Sequence, residues 1–160
     1  MMPTMTTAPS GPPPFERFYD EHRDEIYRYL VRMLGRQAAE DAFQETFLKA
    51  LRAYAKLQHA EHLRAWAFTI ATRVAIDERR RARPEPLGEH DLPSLDSEPA
   101  YAELDHLTGE LPQKERAAVV LRYGYDLAYA DIATALGSSE EAARQAASTG
   151  VRRLRRKGIA

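Results

Sequence analysis

The sequence predicts an all-α protein made of two small helical domains that are joined by an acidic, proline-containing linker. Apolar residues recur at steps of three and four through most of the 160 residues, and no convincing two-residue alternation typical of β-strands appears. Between residues 84 and 99 this helical period stops and four prolines occur. With 44% hydrophobic and 29% charged residues, the composition is typical of a globular protein rather than a disordered or fibrous one.

The first 83 residues predict a tail followed by three amphipathic helices. We expect residues 1–14, which are rich in proline and threonine, to form a disordered tail rather than a signal peptide. Residues 15–83 are expected to form a compact three- to four-helix bundle. Gly35 supplies a stop after the first helix, and Pro84 closes the third. The apolar stripes run from Phe15 to Met33, from Ala39 to Leu57 and from Leu63 to Val74.

The remaining residues predict a linker and a second helical domain. Residues 84–98 have no apolar period and are expected to be a linker, and residues 99–160 are expected to form the C-terminal domain. A helix ending at Leu136-Gly137, a tight turn and a further helix predict a helix-turn-helix. Ser138 and Glu141 have the spacing of a capping box at the start of the last helix. The four apolar stripes of this domain begin at Tyr101, Ala117, Tyr129 and Ala143.

Charge is distributed unevenly along the chain, although the net charge is only −1. Residues 1–83 carry a net charge of +3, residues 84–112 one of −8 and residues 113–160 one of +4. Because basic surfaces attract a phosphate backbone and acidic segments repel it, both ends are candidates for binding nucleic acid. The alternative is that these charges belong to ordinary solvated surfaces.

The sequence lacks the residues that several classes of function need. The absence of cysteine excludes disulfides, thiolate zinc sites and cysteine nucleophiles, and agrees with a cytoplasmic location. No run of 18 apolar residues predicts insertion into a membrane. His59 and His62 fit a polar loop better than a metal site. Since there is no nucleophile elbow or glycine-rich phosphate loop, we expect no enzymatic activity, no cofactor and no metal.

The last helix carries side chains that suit phosphates and base edges. Its predicted outward row consists of Arg144, Gln145, Ser148, Thr149 and Arg152. This pattern favours DNA binding by the helix-turn-helix, although an ordinary αα-hairpin would share it.

The third N-terminal helix combines basic groups with aromatic rings, which suits single-stranded or distorted nucleic acid because a ring can stack on an unpaired base. The residues expected away from its apolar stripe are Arg64, Thr69, Arg73 and Arg80, with Trp66 and Phe68 nearby. The alternative is that Trp66 belongs to the core and the arginines are merely solvated.

Three segments, in this order and with a linker before the last, match the pattern of one protein family. Residues 39–50 (AEDAFQETFLKA) are similar to a helix that binds core RNA polymerase. Residues 64–71 (RAWAFTIA), followed by Asp77 and Arg80, are similar to a helix that reads the −10 element. Residues 111–139 are similar to a domain that reads the −35 element. On these segments the chain resembles the extracytoplasmic-function sigma factors (group IV of the sigma-70 family), with residues 15–83 as region 2 and residues 99–160 as region 4.

The resemblance implies a promoter-specificity subunit that binds core polymerase, recognises the −35 and −10 elements and melts promoter DNA. It implies an anti-sigma factor as a further partner and no cofactor. The residues implied to dock on the clamp helices of the largest polymerase subunit are Asp41, Gln44, Glu45, Phe47 and Leu48. Those implied to contact the −10 element are Lys56, His59, Arg64, Trp66, Thr69, Arg73 and Arg80. Those implied to contact the −35 element are Arg116, Ser139, Arg144, Gln145, Ser148, Thr149 and Arg152.

Several positions depart from the family pattern. Arg73 stands where the family usually has asparagine, and Ala146 stands where an arginine is usual. Glu140 and Glu141 open the last helix and repel approaching phosphates. Gly150 lies inside the same helix, at a cost of about 1 kcal/mol relative to alanine. The departure at Arg73 predicts different contacts with the −10 element, and the other departures predict weak or unusual binding to the −35 element.

Two alternatives therefore stay open. The first is a sigma-like decoy that sequesters an anti-sigma factor without driving transcription. The second is a simple helix-turn-helix regulator, which would leave residues 15–83 without a role.

Overall fold

The structure, a computed structural model, describes residues 11–58, 61–82 and 111–156, and all its regular elements in these ranges are helical. The prediction of an all-α fold with a C-terminal helix-turn-helix is confirmed. The predicted linker, the stripe beginning at Tyr101, His59 and the first ten residues of the tail lie outside the described residues. The helices are α1 (Phe15–Leu34), α2 (Arg36–Tyr54), α3 (Leu63–Ala82), α4 (Gln113–Val119), α5 (Tyr129–Leu136) and α6 (Glu140–Leu154).

Helices α1, α2 and α3 form an N-terminal bundle in which each helix packs against the other two. Gly35, with φ of 88°, is the single residue between α1 and α2. Its N–H donates to Val31 O and its carbonyl accepts from Ala39 N, so it ends one helix and begins the next. Helix α3 begins after His62, whose carbonyl accepts from Trp66 N. The stop predicted at Gly35 thus coincides with the sharp bend between the first two helices.

Aromatic rings fill the centre of the N-terminal bundle. The ring of Phe18 is fully buried and lies 5.3 to 6.2 Å from the rings of Phe47, Tyr54 and Trp66. Tyr29 is also fully buried, and its hydroxyl shares a 2.7 Å hydrogen bond with Thr72 Oγ1. Each large ring buries on the order of 150–250 Å² of surface, so these side chains dominate the apolar area of the bundle.

Helices α4, α5 and α6 form a C-terminal unit, in which α4 continues into a π-helical turn, Val120–Gly124. Helix α5 ends at Gly137, which adopts the left-handed conformation, while Ser138 N–H donates to Ala133 O in a Schellman arrangement. The expected capping box at Ser138 is wrong by one residue. Ser139 is the N-cap, and its side chain accepts from Ala142 N at 3.0 Å.

Gly150 allows close contact between α6 and α4. A Cβ atom at this position would lie 2.6 Å from Val119 Cγ2 and 3.4 Å from Glu115 O, both on α4. The sequence analysis interpreted Gly150 only as a residue that destabilises the last helix. The structure corrects this, because the missing side chain is what lets the two helices approach each other.

The N-terminal bundle and the C-terminal unit pack against each other, and most of their buried residues form one continuous core, while Leu111, Val119 and Leu154 form a second cluster. Helix α5 lies along α3, while α4 contacts both α1 and α3. Tyr125, which is only 9% exposed, inserts between Tyr29 of α1 and Phe68 of α3, with ring-centroid distances of 5.9 and 5.0 Å. The described residues therefore show one closed arrangement of the two helical groups.

Candidate polymerase and nucleic-acid interfaces

The outer face of α2 combines polar residues with exposed apolar ones. Asp41 and Gln44 are exposed, and Leu48 and Leu51 are 53% and 50% exposed. These four residues follow helical spacing along one side of α2 and form what we call the α2 row. Leu51 was missed in the sequence because a single leucine late in a helix reads as part of the buried stripe.

Two other residues that the sequence analysis assigned to polymerase docking are less exposed than the α2 row. Phe47 is buried and packs edge-on against Tyr19, with ring centroids 5.0 Å apart. Glu45 is half-buried, and its carboxylate lies 3.6 Å from Lys49 Nζ and 4.0 Å from an Arg81 nitrogen. Phe47 therefore supports α2 from within the core, whereas Glu45 lies in a surface charge network.

An open cleft between α1 and α2 borders the α2 row. Its volume is about 430 Å³, and Gln44 belongs to both the cleft and the row. The side chains that line it are Tyr19, Arg23, Asp24, Tyr27, Glu40, Phe43 and Gln44. The surface beside the row is thus concave, with aromatic and charged groups mixed along its walls.

Two arginines expected to contact the −10 element donate into the C-terminal unit. Arg64 holds both oxygens of the Glu25 carboxylate, at 2.9 and 3.2 Å, and also donates to Tyr125 O at 2.9 Å. Arg73 donates to Thr134 O on α5 at 2.8 Å. Arg80 remains on the surface 3.8 Å from Asp77, and Lys56 is exposed beyond the end of α2.

Thr69 is more buried than the sequence suggested, and Trp66 follows the alternative that placed it against the core. Trp66 is half-buried against Phe18 and Tyr54, with ring centroids 5.5 and 6.1 Å away. Thr69 is buried, so the expectation that it lies away from the apolar stripe is wrong. The aromatic groups of α3 are therefore part of the bundle core in the closed arrangement.

Helix α6 presents the outward row that its sequence predicted. Arg144, Gln145, Ser148 and Arg152 are exposed, and we call them the α6 row; Thr149 is half-buried beside it. Arg144 lies 2.9 Å from Glu140 and 3.6 Å from Glu141, so the two acidic residues at the helix start pair with the first arginine of the row. Its guanidinium also lies 5.1 Å from the centre of the Tyr129 ring.

A second open cleft, of about 470 Å³, adjoins the α6 row. Two of its lining residues were not singled out in the sequence: Tyr123, which is 62% exposed, and Arg155. A hydrogen bond with Tyr129 raises the pKa of Tyr123, and partial burial raises it further. Arg122 lies 4.3 Å from the Tyr129 ring centre, so cation–π contacts surround this ring. The surface beside the α6 row is accordingly both aromatic and basic.

Arg116 is not on the surface, although it was expected to contact the −35 element. Its side chain is 4% exposed and donates to Met33 O, near the end of α1, at 2.6 Å. Burial lowers its pKa to about 10, which leaves the guanidinium charged at neutral pH. In the closed arrangement Arg116 joins α4 to α1 and is out of reach of a phosphate.

Two classes of site have no counterpart among residues 11–58, 61–82 and 111–156. These ranges contain no group of three or more His, Cys, Asp or Glu side chains that could hold a metal ion. Within the same ranges, no helix has both the length and the apolar character required to cross a membrane.

These features define a sigma-70-type protein, because the two helical groups match its two DNA-binding regions. Residues 18–85 match the family model for Sigma-70 region 2, and residues 109–156 match that for Sigma-70 region 4. The ECF RNA polymerase sigma factor SigL of Mycobacterium tuberculosis is 35% identical over 155 residues, covering 86% of this chain and 84% of SigL. The chain belongs to the ECF RNA polymerase sigma factors, which confirms the family inferred from the sequence.

Further relatives agree with this assignment. The ECF sigma factor BldN of Streptomyces coelicolor is 30% identical, covering 89% of this chain and 59% of BldN. Sigma factor RpoE of Bartonella quintana, solved in complex with the anti-sigma factor NepR, has a TM-score of 0.74 at 19% identity, covering 91% of this chain and 98% of RpoE. SigJ of Mycobacterium tuberculosis gives a TM-score of 0.58 at 28% identity, covering 86% of this chain and 50% of SigJ. The protein is thus a transcription initiation factor whose regions imply binding to core polymerase and to promoter DNA.

Proposed function

We propose that this sigma factor uses three separate surfaces: the α2 row for the clamp helices of the largest polymerase subunit, α3 for the −10 element and the α6 row for the −35 element. It acts in the cytoplasm as a non-enzymatic subunit. The α2 row is the main support for this proposal. Its exposed leucines, with polar groups beside them on the same helix, have no other explanation in the described structure.

The α2 row has the composition of a protein interface. Leu48 and Leu51 supply apolar area in the C-terminal half of the row, and Asp41 and Gln44 supply polar groups in its N-terminal half. Protein interfaces combine an apolar centre with a polar rim, and a few central residues carry most of the binding energy. Phe47 contributes indirectly, since it fixes α2 against α1.

Helix α3 supplies cations for the −10 strand. Arg64, Arg73 and Arg80 lie along this helix, and Lys56 precedes it in the chain. Unstacking a base step costs a few kcal/mol, so promoter melting needs contacts that form only with the parted strands. Basic contacts to those strands offset this cost without any hydrolysis. His59 and Trp66 keep their proposed role as contacts of the −10 element, whereas the buried Thr69 acts by holding α3 in place.

The α6 row is the candidate surface for the −35 duplex. Arginine, glutamine and serine side chains donate to base edges and phosphates in the major groove. Glu140 and Glu141 are paired with Arg144, which reduces their repulsion of DNA and fixes the direction of that guanidinium. Ser139 contributes as the N-cap that starts the helix, with Thr149 at the edge of the row.

We also propose an anti-sigma factor as a regulatory partner. The support is indirect: the solved relative RpoE, which shares the two-region fold, is bound to the anti-sigma factor NepR. A decoy that only sequesters such a factor has no need for an intact α2 row, so we favour the transcription-initiating role.

The test is run-off transcription from genomic fragments with purified core polymerase and the full chain. We expect discrete transcripts and a stable complex with the polymerase. Core binding without transcript on any fragment would favour the decoy, and absence of core binding would contradict the proposal.

Variants of the α2 row test the docking surface. Leu48→Ala with Leu51→Ala, and separately Asp41→Ala with Gln44→Ala, should weaken core binding at least tenfold while helicity by circular dichroism stays unchanged. Asp20→Ala changes an exposed carboxylate on α1 and is the matched control. Unchanged affinity in both double variants would place the docking surface elsewhere.

A further inference from the structure

Tyr129, the first residue of α5, is in contact with two arginines that belong to other elements. The Arg122 guanidinium of the π-helical turn lies over its ring, 4.3 Å from the centre, and the Arg144 guanidinium of α6 lies over it at 5.1 Å. Arg122 also donates to Leu127 O at 3.1 Å, in the chain that leads into α5. The ring itself is half-buried and packs against the core, so its position is fixed by the fold.

Arg144 makes two further contacts, both within its own helix. It donates to a Glu140 oxygen at 2.9 Å and lies 3.6 Å from a Glu141 oxygen. The side chains of Arg144, Glu140 and Glu141 are 48%, 52% and 73% exposed, and ion pairs between such exposed groups are weak. Tyr129 is the part of this arrangement that belongs to a second helix and packs on the core. It is therefore the group that fixes where the guanidinium lies relative to α5.

A fixed guanidinium is suited to reading a base edge. Arginine does so through two parallel hydrogen bonds, which require one orientation of the group, whereas contacts with phosphate carry no sequence information. Because a guanidinium has five N–H groups, the contacts of Arg144 with Glu140 and Glu141 leave further N–H groups for DNA. Holding the side chain in place before DNA arrives also lowers the entropy that binding costs.

We propose that Tyr129 is a positioning residue that sets the base preference of Arg144. Its ring holds the guanidinium in the orientation that pairs with one base edge of the −35 element. Tyr129 thus acts through Arg144 and decides how strongly one base pair is selected, without binding that base pair itself. The inference rests on the proposed role of the α6 row in −35 recognition, and it names the residue on which the selectivity of that row depends.

Three substitutions separate the effect of the ring from that of its surroundings. Tyr129→Leu removes the ring and keeps an apolar side chain against the core. Tyr129→Phe keeps the ring and loses only the hydroxyl, which forms a hydrogen bond with Tyr123. Tyr123→Leu is the matched control, because it makes the same exchange at a 62% exposed tyrosine of the same cleft. If Tyr129→Leu fails to fold, Tyr129→Met fills the same space with a flexible chain and takes its place.

The experiment measures base preference with the holoenzyme, formed from core polymerase and the full chain. The probes are promoter fragments that yield run-off transcripts, with their −35 region randomised, and the fragments that bind are sequenced. We expect Arg144→Ala to lose the preference at one base pair. Tyr129→Leu should reduce the preference at that same base pair at least fivefold and change the others less than twofold. Tyr129→Phe and Tyr123→Leu should retain every preference within twofold.

A double variant tests whether the ring acts through the arginine. Because the inference gives Tyr129 no other route to the base pair, adding Tyr129→Leu to Arg144→Ala should change no base preference further. Thermal unfolding by circular dichroism accompanies each variant. A purely structural loss would lower the melting temperature and weaken all base pairs equally in both backgrounds.

The outcomes distinguish this inference from the function on which it rests. If Tyr129→Leu leaves all preferences unchanged, weakens all base pairs equally or alters further preferences in the Arg144→Ala background, the inference is overturned. The same holds if Tyr129→Phe or Tyr123→Leu loses the preference as fully as Tyr129→Leu. If Arg144→Ala keeps every preference of the wild type, Arg144 reads no base and the inference fails, while the −35 role of the rest of the α6 row stands. If the wild-type holoenzyme binds the fragments but prefers no −35 base, the assignment of the α6 row is itself wrong.

Discussion

The two helical groups build their cores in opposite ways. The N-terminal bundle buries large rings, among them Phe18, Tyr29 and Phe68. The C-terminal unit buries aliphatic residues such as Leu121 and Ile132 together with small residues that let helices approach closely, among them Ala143, Ala147 and Gly150 of α6. Since alanine buries little apolar area, the second unit gains from Tyr125, whose ring is buried in the bundle rather than in its own helices. The comparison teaches that the bundle carries its own stability, whereas the C-terminal unit depends partly on its neighbour.

Phe18→Ala should have the largest effect on stability. Removing a fully buried ring that contacts five other rings costs about 3–5 kcal/mol, since the cavity cannot collapse among rigid neighbours. Fluorescence of Trp66, the single tryptophan, reports directly on this cluster during urea unfolding. A loss below about 1 kcal/mol would show that the aromatic cluster does not dominate the bundle.

Gly150→Ala should destabilise the C-terminal unit by about 1–3 kcal/mol, because the added methyl group collides with Val119 across the α4–α6 contact. The measurement is thermal unfolding followed by circular dichroism, with Trp66 fluorescence as the separate signal of the bundle. Gly124→Ala is the matched control, since its Cβ would meet Val120 at an ordinary 3.6 Å. Increased stability in Gly150→Ala would mean that helix propensity outweighs close packing at this position.

Alkaline pH should weaken the bundle through Tyr29. Burial raises the pKa of this phenol above its usual value of 10, so the unfolded chain ionises there first while the folded phenol stays neutral. The contribution of the neutral Tyr29 phenol to the free energy of unfolding is therefore complete below pH 10. It falls by about 1.4 kcal/mol per pH unit above pH 10. Urea unfolding at pH 8, 10 and 11 should show this decline, and Tyr29→Phe should make it shallower. Tyr123→Phe, at an exposed position, should change the decline much less.

Ser139→Ala should have the smallest effect, a loss of about 1 kcal/mol confined to the start of α6. The hydroxyl accepts from Ala142 N, and Ser139 is the side-chain cap at this end among the residues that the structure describes. Amide hydrogen exchange at Ala142 should become faster, while Ser138→Ala serves as the neighbouring control. A larger effect in Ser138→Ala would restore the cap position that the sequence suggested.

Features that depend on local residues were predictable from the sequence. Gly35 and Gly137 both end helices, because a residue that tolerates positive φ after an apolar stripe is a local signal. The outward row of α6 was also predictable, since it follows from helical spacing alone. The fold class and the family rested on such signals.

Features that depend on contacts across the molecule were not predictable in the same way. Arg116 reads as a surface cation in its own helix and is buried only because α1 lies against it. Gly150 reads as a weak helix position until Val119 is placed beside it. Thr69 lies next to the apolar stripe of α3 and is buried by packing that the helical period does not predict. The helical period predicts which side of each helix is buried. How many residues on that side are buried depends on the helices packed against it.

The connection through Gly35 has a mechanical consequence. With one residue between them, α1 and α2 have almost no freedom to turn independently, so a force applied to either passes to the other as rotation. Helix α3 packs on both, so all three helices of the bundle are coupled by direct contacts. The N-terminal bundle is therefore expected to move as one body, so that a displacement of the α2 row would be accompanied by a displacement of α3.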